Sequence, residues 1–348
     1  MLKINKDYTN LNFKNKSELL SECKKLISMP DVLEPILKEI KGLRRGEVRP
    51  EDTKRRSEIG SNFSSKIQQI FNYVYLHKIV IKEDIITKLS EIIGKADAVL
   101  RENIVLQSKP PLDVIKFKNV PVRYSHSSFG RKEQRWGYGL NKLPTTDAGY
   151  SICMAIMPPR YIQSYHNHTI TEYTLALDKK VIGIANPGKN AKKNIANTNE
   201  IVHFSATTPH TLYNPTNSLS RNVTVKLPTG LLDWRPACNL NPIKSTHSEI
   251  LKGKLSRFGT KGGTKISFSI KDEYYDYKLE LLQLKKDSVI ENIYNEDRYI
   301  FVVDGELLIS SGNIKKYCSK NDYIVVDKNT KFKIQTKTKS KLYIVINN

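Results

Sequence analysis

Cysteine is scarce and scattered in this chain. Cys23, Cys153, Cys238 and Cys318 stand far apart and form no C-x-x-C pair. That excludes the common zinc-ribbon and dithiol patterns and points to reduced thiols in a cytoplasmic setting. Long apolar runs are missing too, and the start, Met1-Leu2-Lys3-Ile4-Asn5-Lys6-Asp7, has no apolar signal core. Neither a membrane span nor export is expected. Acidic residues are in deficit: 35 Asp and Glu against 57 Lys and Arg leave a formal net charge of +22. Such a balance admits an anionic partner. No long block of like charge appears, however, and the lysines are spread through a chain rich in Lys, Asn and Ile. Nucleic acid is therefore not expected as the main partner. Histidine is also rare, at seven residues, so a place where it clusters carries weight.

It clusters in Tyr165-His166-Asn167-His168-Thr169-Ile170-Thr171-Glu172, answered later by Pro209-His210-Thr211-Leu212-Tyr213-Asn214. Alternate residues of a strand share a face, so His166 and His168 point the same way. Glu172 follows a short turn, and its strand can return beside the first. His210 comes from a distant segment and would close the site. Three imidazoles and one carboxylate suit zinc, iron, copper or nickel, and the carboxylate adds charge balance.

This spacing resembles the cupin family, whose first motif reads G-x5-H-x-H-x3-4-E-x6-G and whose second reads G-x5-P-x-G-x2-H-x3-N. The ligand types and intervals match at His166, His168, Glu172, His210 and Asn214. The framing residues depart: Arg160 and Lys179 stand for the glycines of the first motif, and Asn199, Ser205 and Thr207 for Gly, Pro and Gly of the second. Those changes concern turns rather than ligands.

At 348 residues the chain has room for two or three domains. Residues 1–107 read as helical. Asp31 is placed to cap a helix through Leu33, Ile36, Leu37 and Ile40. Ile85, Ile86, Leu89, Ile92, Ile93, Ala96, Val99 and Leu100 recur at helical spacing and form one apolar stripe. Between them, residues 41–50 form a polar connection marked by Gly and Pro. The stripe needs a covering surface, either a barrel wall or a second copy in a homodimer. Lys54-Arg55-Arg56 is the one feature that would suit a DNA-reading module. Residues 108–240 change to short runs with Pro and Gly punctuation. Val114-Ile115-Lys116-Phe117, Ser151–Ile156, Tyr173–Leu177 and Val223–Leu227 read as strands of a sandwich or barrel.

Residues 241–348 look like a second copy. Arg298-Tyr299-Ile300-Phe301-Val302 aligns with Glu172-Tyr173-Thr174-Leu175-Ala176, and Asn321-Asp322-Tyr323 with Asn199-Glu200-Ile201. The four ligand positions then fall on Asn292, Tyr294, Arg298 and Phe332, which make no metal set. Arg298, turned inward, needs a partner such as Glu296, Asp297 or Asp322. The resemblance thus implies a mainly β protein: two cupin jelly-roll barrels behind an N-terminal α-helical region, with one metal-binding barrel and one degenerate barrel.

The metal ligands expected are His166, His168, Glu172 and His210, holding one divalent metal per chain. Fe(II) leads, with Zn, Mn and Ni as alternatives. Alternation puts Thr174 and Ala176 on the face of Glu172, Ser164 and Ile162 on that of His166, and Leu212 on that of His210. Thr174 and Tyr161 are the candidates for touching substrate; Trp136, Tyr138, Arg123 and Arg160 flank the mouth. The resemblance implies an enzyme acting on a small-molecule substrate, foremost a non-haem iron dioxygenase. A redox-neutral lyase or isomerase is second. Some dimethylsulfoniopropionate lyases of this kind use a Tyr two residues after the Glu, where this chain has Thr174. A non-catalytic ligand-binding or regulatory cupin is third.

Overall fold

The computed structural model describes residues 13–41, 50–102, 111–120, 122–127, 130–137, 149–163, 166–167, 171–186, 191–229, 235–236, 247–258, 263–271, 276–293, 296 and 298–347. They divide into two compact units, one drawn from residues 1–105, 121–136 and 148–250, the other from 106–120, 137–147 and 251–348. Residues 42–49 of the expected connection, and Tyr138, His168, Cys238 and Tyr294, lie outside the described residues.

The first unit opens with helices α1 (Lys16–Ser28), α2 (Leu33–Lys41), α3 (Pro50–Leu76) and α4 (Glu83–Glu102). The Asn15 side chain accepts from the Glu18 amide at 3.0 Å and caps α1. Asp31 caps α2 as expected, accepting from the amides of Leu33 at 3.1 Å and Glu34 at 3.0 Å. Much of the stripe of α4 is buried by the other helices. Leu89 and Ile93 pack with Leu19, Cys23, Ile67 and Ile70, while Ala96 and Val99 pack with Leu33, Ile36 and Phe63. The basic segment is also committed internally. Glu39 of α2 accepts from Arg55 at 3.0 Å and from Arg56 at 2.6 Å, and Arg56 is buried. The feature that would have suited DNA is thus bound to a neighbouring helix.

Strands are numbered along the chain; β1 (Leu112–Ile115) belongs to the second unit. In the first unit, one sheet holds β2 (Val122–Ser127), β3 (Gly130–Gly137), β4 (Gly149–Met157), β6 (Thr171–Ala176), β9 (Ile201–Phe204), β11 (Ser220–Thr229) and β13 (Ser248–Leu251). Their order is β13-β9-β6-β11-β4-β3-β2. The other holds β5 (His166–Asn167), β7 (Val181–Ala185), β8 (Lys192–Ala196), β10 (His210–Tyr213) and β12 (Arg235–Pro236), ordered β12-β5-β10-β7-β8. Met157, Ala176, Val181, Ala196, Val202, Phe204 and Leu212 form the core that joins them. Helix α3 lies against β2 and β12, one edge strand of each sheet. Its residues Ser57, Ser61, Ser64, Ser65 and Gln68 recur at helical spacing and are buried, beside the apolar face of Phe63, Ile67 and Ile70.

The second unit repeats the plan. Its strands are β1, β14 (Lys254–Phe258), β15 (Gly263–Lys271), β16 (Asp276–Leu284), β17 (Val289–Ile293), β18 (Arg298–Asp304), β19 (Glu306–Ser311), β20 (Ile314–Ser319), β21 (Tyr323–Val326), β22 (Lys331–Thr336) and β23 (Ser340–Asn347). They form sheets ordered β1-β21-β18-β23-β16-β15-β14 and β17-β22-β19-β20. The stretch from Leu112, expected to begin the first barrel, instead pairs with β21 and extends the second unit's sheet. The expected strand through Phe117 stops earlier. Phe117–Asn119 form a 3-10 turn, with the Phe117 amide held by Asp322 at 2.9 Å.

The expected internal repeat holds at the level of single hydrogen bonds. The Asn199 amide donates to the Ala176 carbonyl at 2.8 Å, and the Asn321 amide donates to the Val302 carbonyl at 2.7 Å. Ala176 donates to Glu200 at 3.1 Å; Val302 donates to Asp322 at 2.9 Å. Glu172 pairs with Phe204 where Arg298 pairs with Val326. His210 pairs with His166 where Phe332 pairs with Asn292. Arg298 is buried and its guanidinium reaches Glu296 at 3.3 Å. An inward cation in the place of Glu172 has therefore found a carboxylate, as its desolvation requires.

Candidate metal centre

His166, Glu172 and His210 sit on β5, β6 and β10, and all three are buried at 1–3% exposure. Burial matters here because polar groups are costly inside a barrel unless something satisfies them. His166 and His210 are direct cross-strand partners, with rings 4.5 Å apart. One ligand atom from each of the three residues lies within 4.8 Å of the others. His168, the fourth expected ligand, lies outside the described residues.

The tautomer of His210 follows from its neighbour. Nδ1 lies 2.7 Å from the Thr208 carbonyl, which can only accept, so Nδ1 carries a proton and donates. In the neutral ring Nε2 then presents a lone pair, 3.7 Å from Glu172 Oε2. A metal ion placed between those two atoms would meet both. Metal–nitrogen and metal–carboxylate bonds are each about 2.0–2.2 Å, so one ion spans such a gap. The backbone contact to Nδ1 is the kind of outer bond that orients a metal-ligating imidazole. The donor set fits a divalent ion.

Packing holds the ring in place. Phe204 stacks on His210 with centroids 4.1 Å apart and planes 15° from parallel. Phe204 can lie flat because Gly183 of β7 has no side chain. A Cβ at Gly183 would meet Val202 Cγ1 and come within 2.7 Å of Phe204 Cζ. Gly183→Ala is therefore expected to push Phe204 toward the imidazole and cost about 1–3 kcal/mol in stability. Metal affinity should fall with it. Thermal melts with and without metal check this, the variant losing more of its metal-dependent shift than of its basal stability.

Two polar neighbours surround Glu172. Thr174 donates to Glu172 Oε1 at 3.1 Å and lies 2.8 Å from the Thr224 hydroxyl. Thr174 is thus a positioning residue for the carboxylate. Lys226 of β11 is the direct cross-strand partner of Glu172, and its Nζ lies 3.5 Å from Oε2. Lys226 is 5% exposed. A second buried lysine, Lys132 of β3, donates to Gln163 Oε1 at 2.6 Å. Neither lysine stands out in the sequence of a chain so rich in lysine. The signal was there in β11, where Asn222, Thr224 and Lys226 alternate with Val223 and Val225, but all five positions are buried, so the pattern does not mark the inward face by polarity alone.

The other expected site residues divide. Ala176 and Leu212 line the core behind the site as expected. Ile162 does not share the inward face of His166. It bridges Tyr213 and packs with Ile184 and Tyr213 in a separate cluster. His166 opposes His210, whereas Ile162 opposes Tyr213, so the register slips by one residue in between; a one-residue slip reverses the face. Tyr161 is fully buried with Met157, Ala176, Phe204 and Leu212. Arg160 is tied to the loop that follows β10, donating to Asn217 at 2.8 Å and to the Pro215 carbonyl at 2.5 Å. Arg160, Asn199 and Thr207 all have positive φ, at 58°, 72° and 64°. The backbone thus keeps the left-handed turns of the motif glycines, although other residues occupy them. The side chains of Arg123 and Trp136 lie outside the described residues, as does Ser164.

Two facing antiparallel sheets repeated along one chain define a bicupin fold, and comparison with solved structures agrees. The chain superposes on oxalate decarboxylase of Bacillus subtilis at a TM-score of 0.51, with 10% identity, over 70% of this chain and 77% of the other. Protein Ylba of E. coli, described under the family model DUF861, gives a TM-score of 0.51 at 10% identity, over 70% of this chain and 93% of that one. The coconut allergen cocosin gives 0.52 at 10% identity, over 69% and 86%. At such identities the likeness concerns the fold. No family model matches the sequence, and no curated protein does. No described helix is long and apolar enough to cross a membrane.

Proposed function

We propose that the first barrel is a mononuclear metal-dependent enzyme acting on a small organic substrate, with Fe(II) as its ion and dioxygen as co-substrate. The observation that carries the metal part is the opposition of His210 Nε2 and Glu172 Oε2, 3.7 Å apart in a buried site. His166, Glu172 and His210, with His168 as the fourth ligand, would hold the ion. Bound there, it would supply Lewis acidity and, as iron, the capacity to activate dioxygen. The chain's own residues do the rest. Thr174 and Thr224 orient Glu172. Phe204, Leu212 and Ala176 keep water out behind the ligands. Lys226 places an ammonium beside Glu172, which favours a substrate carrying a carboxylate or another anionic group.

Lys226 also supports a second reading. A buried amine beside a Lewis acid can hold or release a proton, which suits a redox-neutral lyase or isomerase. Oxalate decarboxylase, which shares the fold, has Mn(II) centres, so manganese belongs with zinc and nickel under that reading. Elemental analysis of protein purified without added metal, followed by oxygen-uptake assays over a panel of small carboxylates, separates the two. About one iron per chain with substrate-dependent uptake is expected. Turnover without oxygen on Mn, Zn or Ni would replace the first reading by the second. A chain that holds no metal in the barrel would end both.

A further inference from the structure

A second cluster of metal-ligating side chains lies on the outer face of the first barrel. Val202 and Phe204 of β9 face the core, so His203 between them faces out. Its cross-strand partner on β6 is Tyr173, and the two rings stack 4.8 Å apart and 8° from parallel. On the other side of β9 lies β13, preceded by His247 and carrying Glu249. The backbone of His247 is held firmly. Its amide donates to Ser205 Oγ at 2.8 Å, and its carbonyl accepts from the Ser205 amide at 2.9 Å.

The three polar tips converge. Glu249 Oε1 lies 3.2 Å from His203 Nδ1 and 3.4 Å from His247 Nε2. All three ligand atoms lie within 4.8 Å of one another. Around a tetrahedral zinc with bonds of about 2.0–2.1 Å, neighbouring ligand atoms are about 3.3–3.4 Å apart. Two edges of that figure are therefore already in place. Burial pushes the His203 imidazole below its ordinary value, against the pull of Glu249. Burial works to raise the Glu249 carboxyl, yet hydrogen bonds from His247 and His203 outweigh it and hold the carboxyl below the usual range. An ion would take the place of the protons that the two imidazoles now share with Glu249, so its binding would release protons.

We propose that His203, His247 and Glu249 form a second, outer binding site for a divalent transition ion of the zinc type, distinct from the barrel centre. Water would complete its coordination, since the side chains of His247 and Glu249 are 53% and 43% exposed. An ion there would clip β13 to β9. It would bind more weakly than in the buried barrel, and the ion carried through purification would remain the inner one.

The test uses the full chain, stripped with a chelator and titrated with Zn²⁺ by calorimetry, beside His247→Ala, Glu249→Gln and His210→Ala. Their first two changes fall on exposed side chains and leave the core intact. Wild type is expected to take up two ions. His247→Ala and Glu249→Gln should lose the weaker event by about tenfold or more in affinity and keep the tighter one. His210→Ala should do the reverse. With Co²⁺ in place of Zn²⁺, the visible band assigned to the outer site should vanish in His247→Ala alone of the two His variants. Variants at His247 and Glu249 that titrate like wild type would overturn the outer site. A single event in wild type, abolished in His210→Ala but not in His247→Ala, would do the same. A single event lost only in His247→Ala would keep the outer site and sink the barrel centre, so the two readings fail separately.

Discussion

His210→Ala should empty the barrel of its ion and lower activity about 100-fold or more while leaving the fold intact. Outer-shell partners of metal ligands alone cost about 10–100-fold when removed, and His210 is itself a ligand candidate. The barrel does not depend on it for cohesion, because Leu212, Val202, Ala176 and Phe204 still pack on one another, although Phe204 loses the imidazole it stacks on. Elemental analysis and circular dichroism on the same sample check both halves. A variant with full metal content would show that the imidazole serves packing. The second barrel supplies the matching control at Phe332, which pairs with Asn292 as His210 pairs with His166. Phe332 is buried in an apolar core with Leu307, Ile309 and Ile334. Phe332→Ala should cost about 3–5 kcal/mol through the cavity it leaves, with metal content unchanged. One topological position thus yields two opposite phenotypes.

Deleting residues 1–105 should leave an insoluble or inactive protein. The reason lies in α3, which lies against β2 and β12, one edge strand of each sheet of the first barrel. Uncovered edge strands pair with other chains. β12 also pairs with β5, the strand of His166, through Pro236 and Arg235. Losing the helix would therefore loosen a ligand strand as well as expose an edge. Limited proteolysis offers the reverse check. A stable fragment of residues 1–105 that bound duplex DNA with steep salt dependence would show that the helices are a separate module. The ion pairs of Arg55 and Arg56 with Glu39 argue against that; the Arg55 pair is exposed and worth little in stability, whereas Arg56 is buried.

The convergence of three site residues was legible because strand alternation and spacing are rigid rules. His166, Glu172 and His210 converge as their intervals imply, and the repeat places Phe332 and Arg298 at matching positions. What sequence could not show was anything set by register or by long-range pairing. Ile162 changes face because the chain slips one residue before His166. Val114–Phe117 reads as a strand, yet no local signal tells this stretch to join β21 rather than the first barrel. Residues 50–76 fall in the stretch that reads as helical, but no single stripe marks α3, because Ser57, Ser61, Ser64 and Ser65 share its buried surface with Phe63, Ile67 and Ile70. Lys226 was hidden in a strand whose five consecutive buried positions blur the alternation.

The matched turns at Asn199 and Asn321 give the molecule its own internal standard. Each amide closes onto the carbonyl of the equivalent strand residue, Ala176 in one barrel and Val302 in the other, at nearly the same length. In one deuterium-exchange experiment, both amides therefore experience the same pH, temperature and handling. Their ratio cancels those variables. A rise in protection at Asn199 relative to Asn321 on adding metal would read the ion's local contribution directly, without a separate apo sample prepared by mutation.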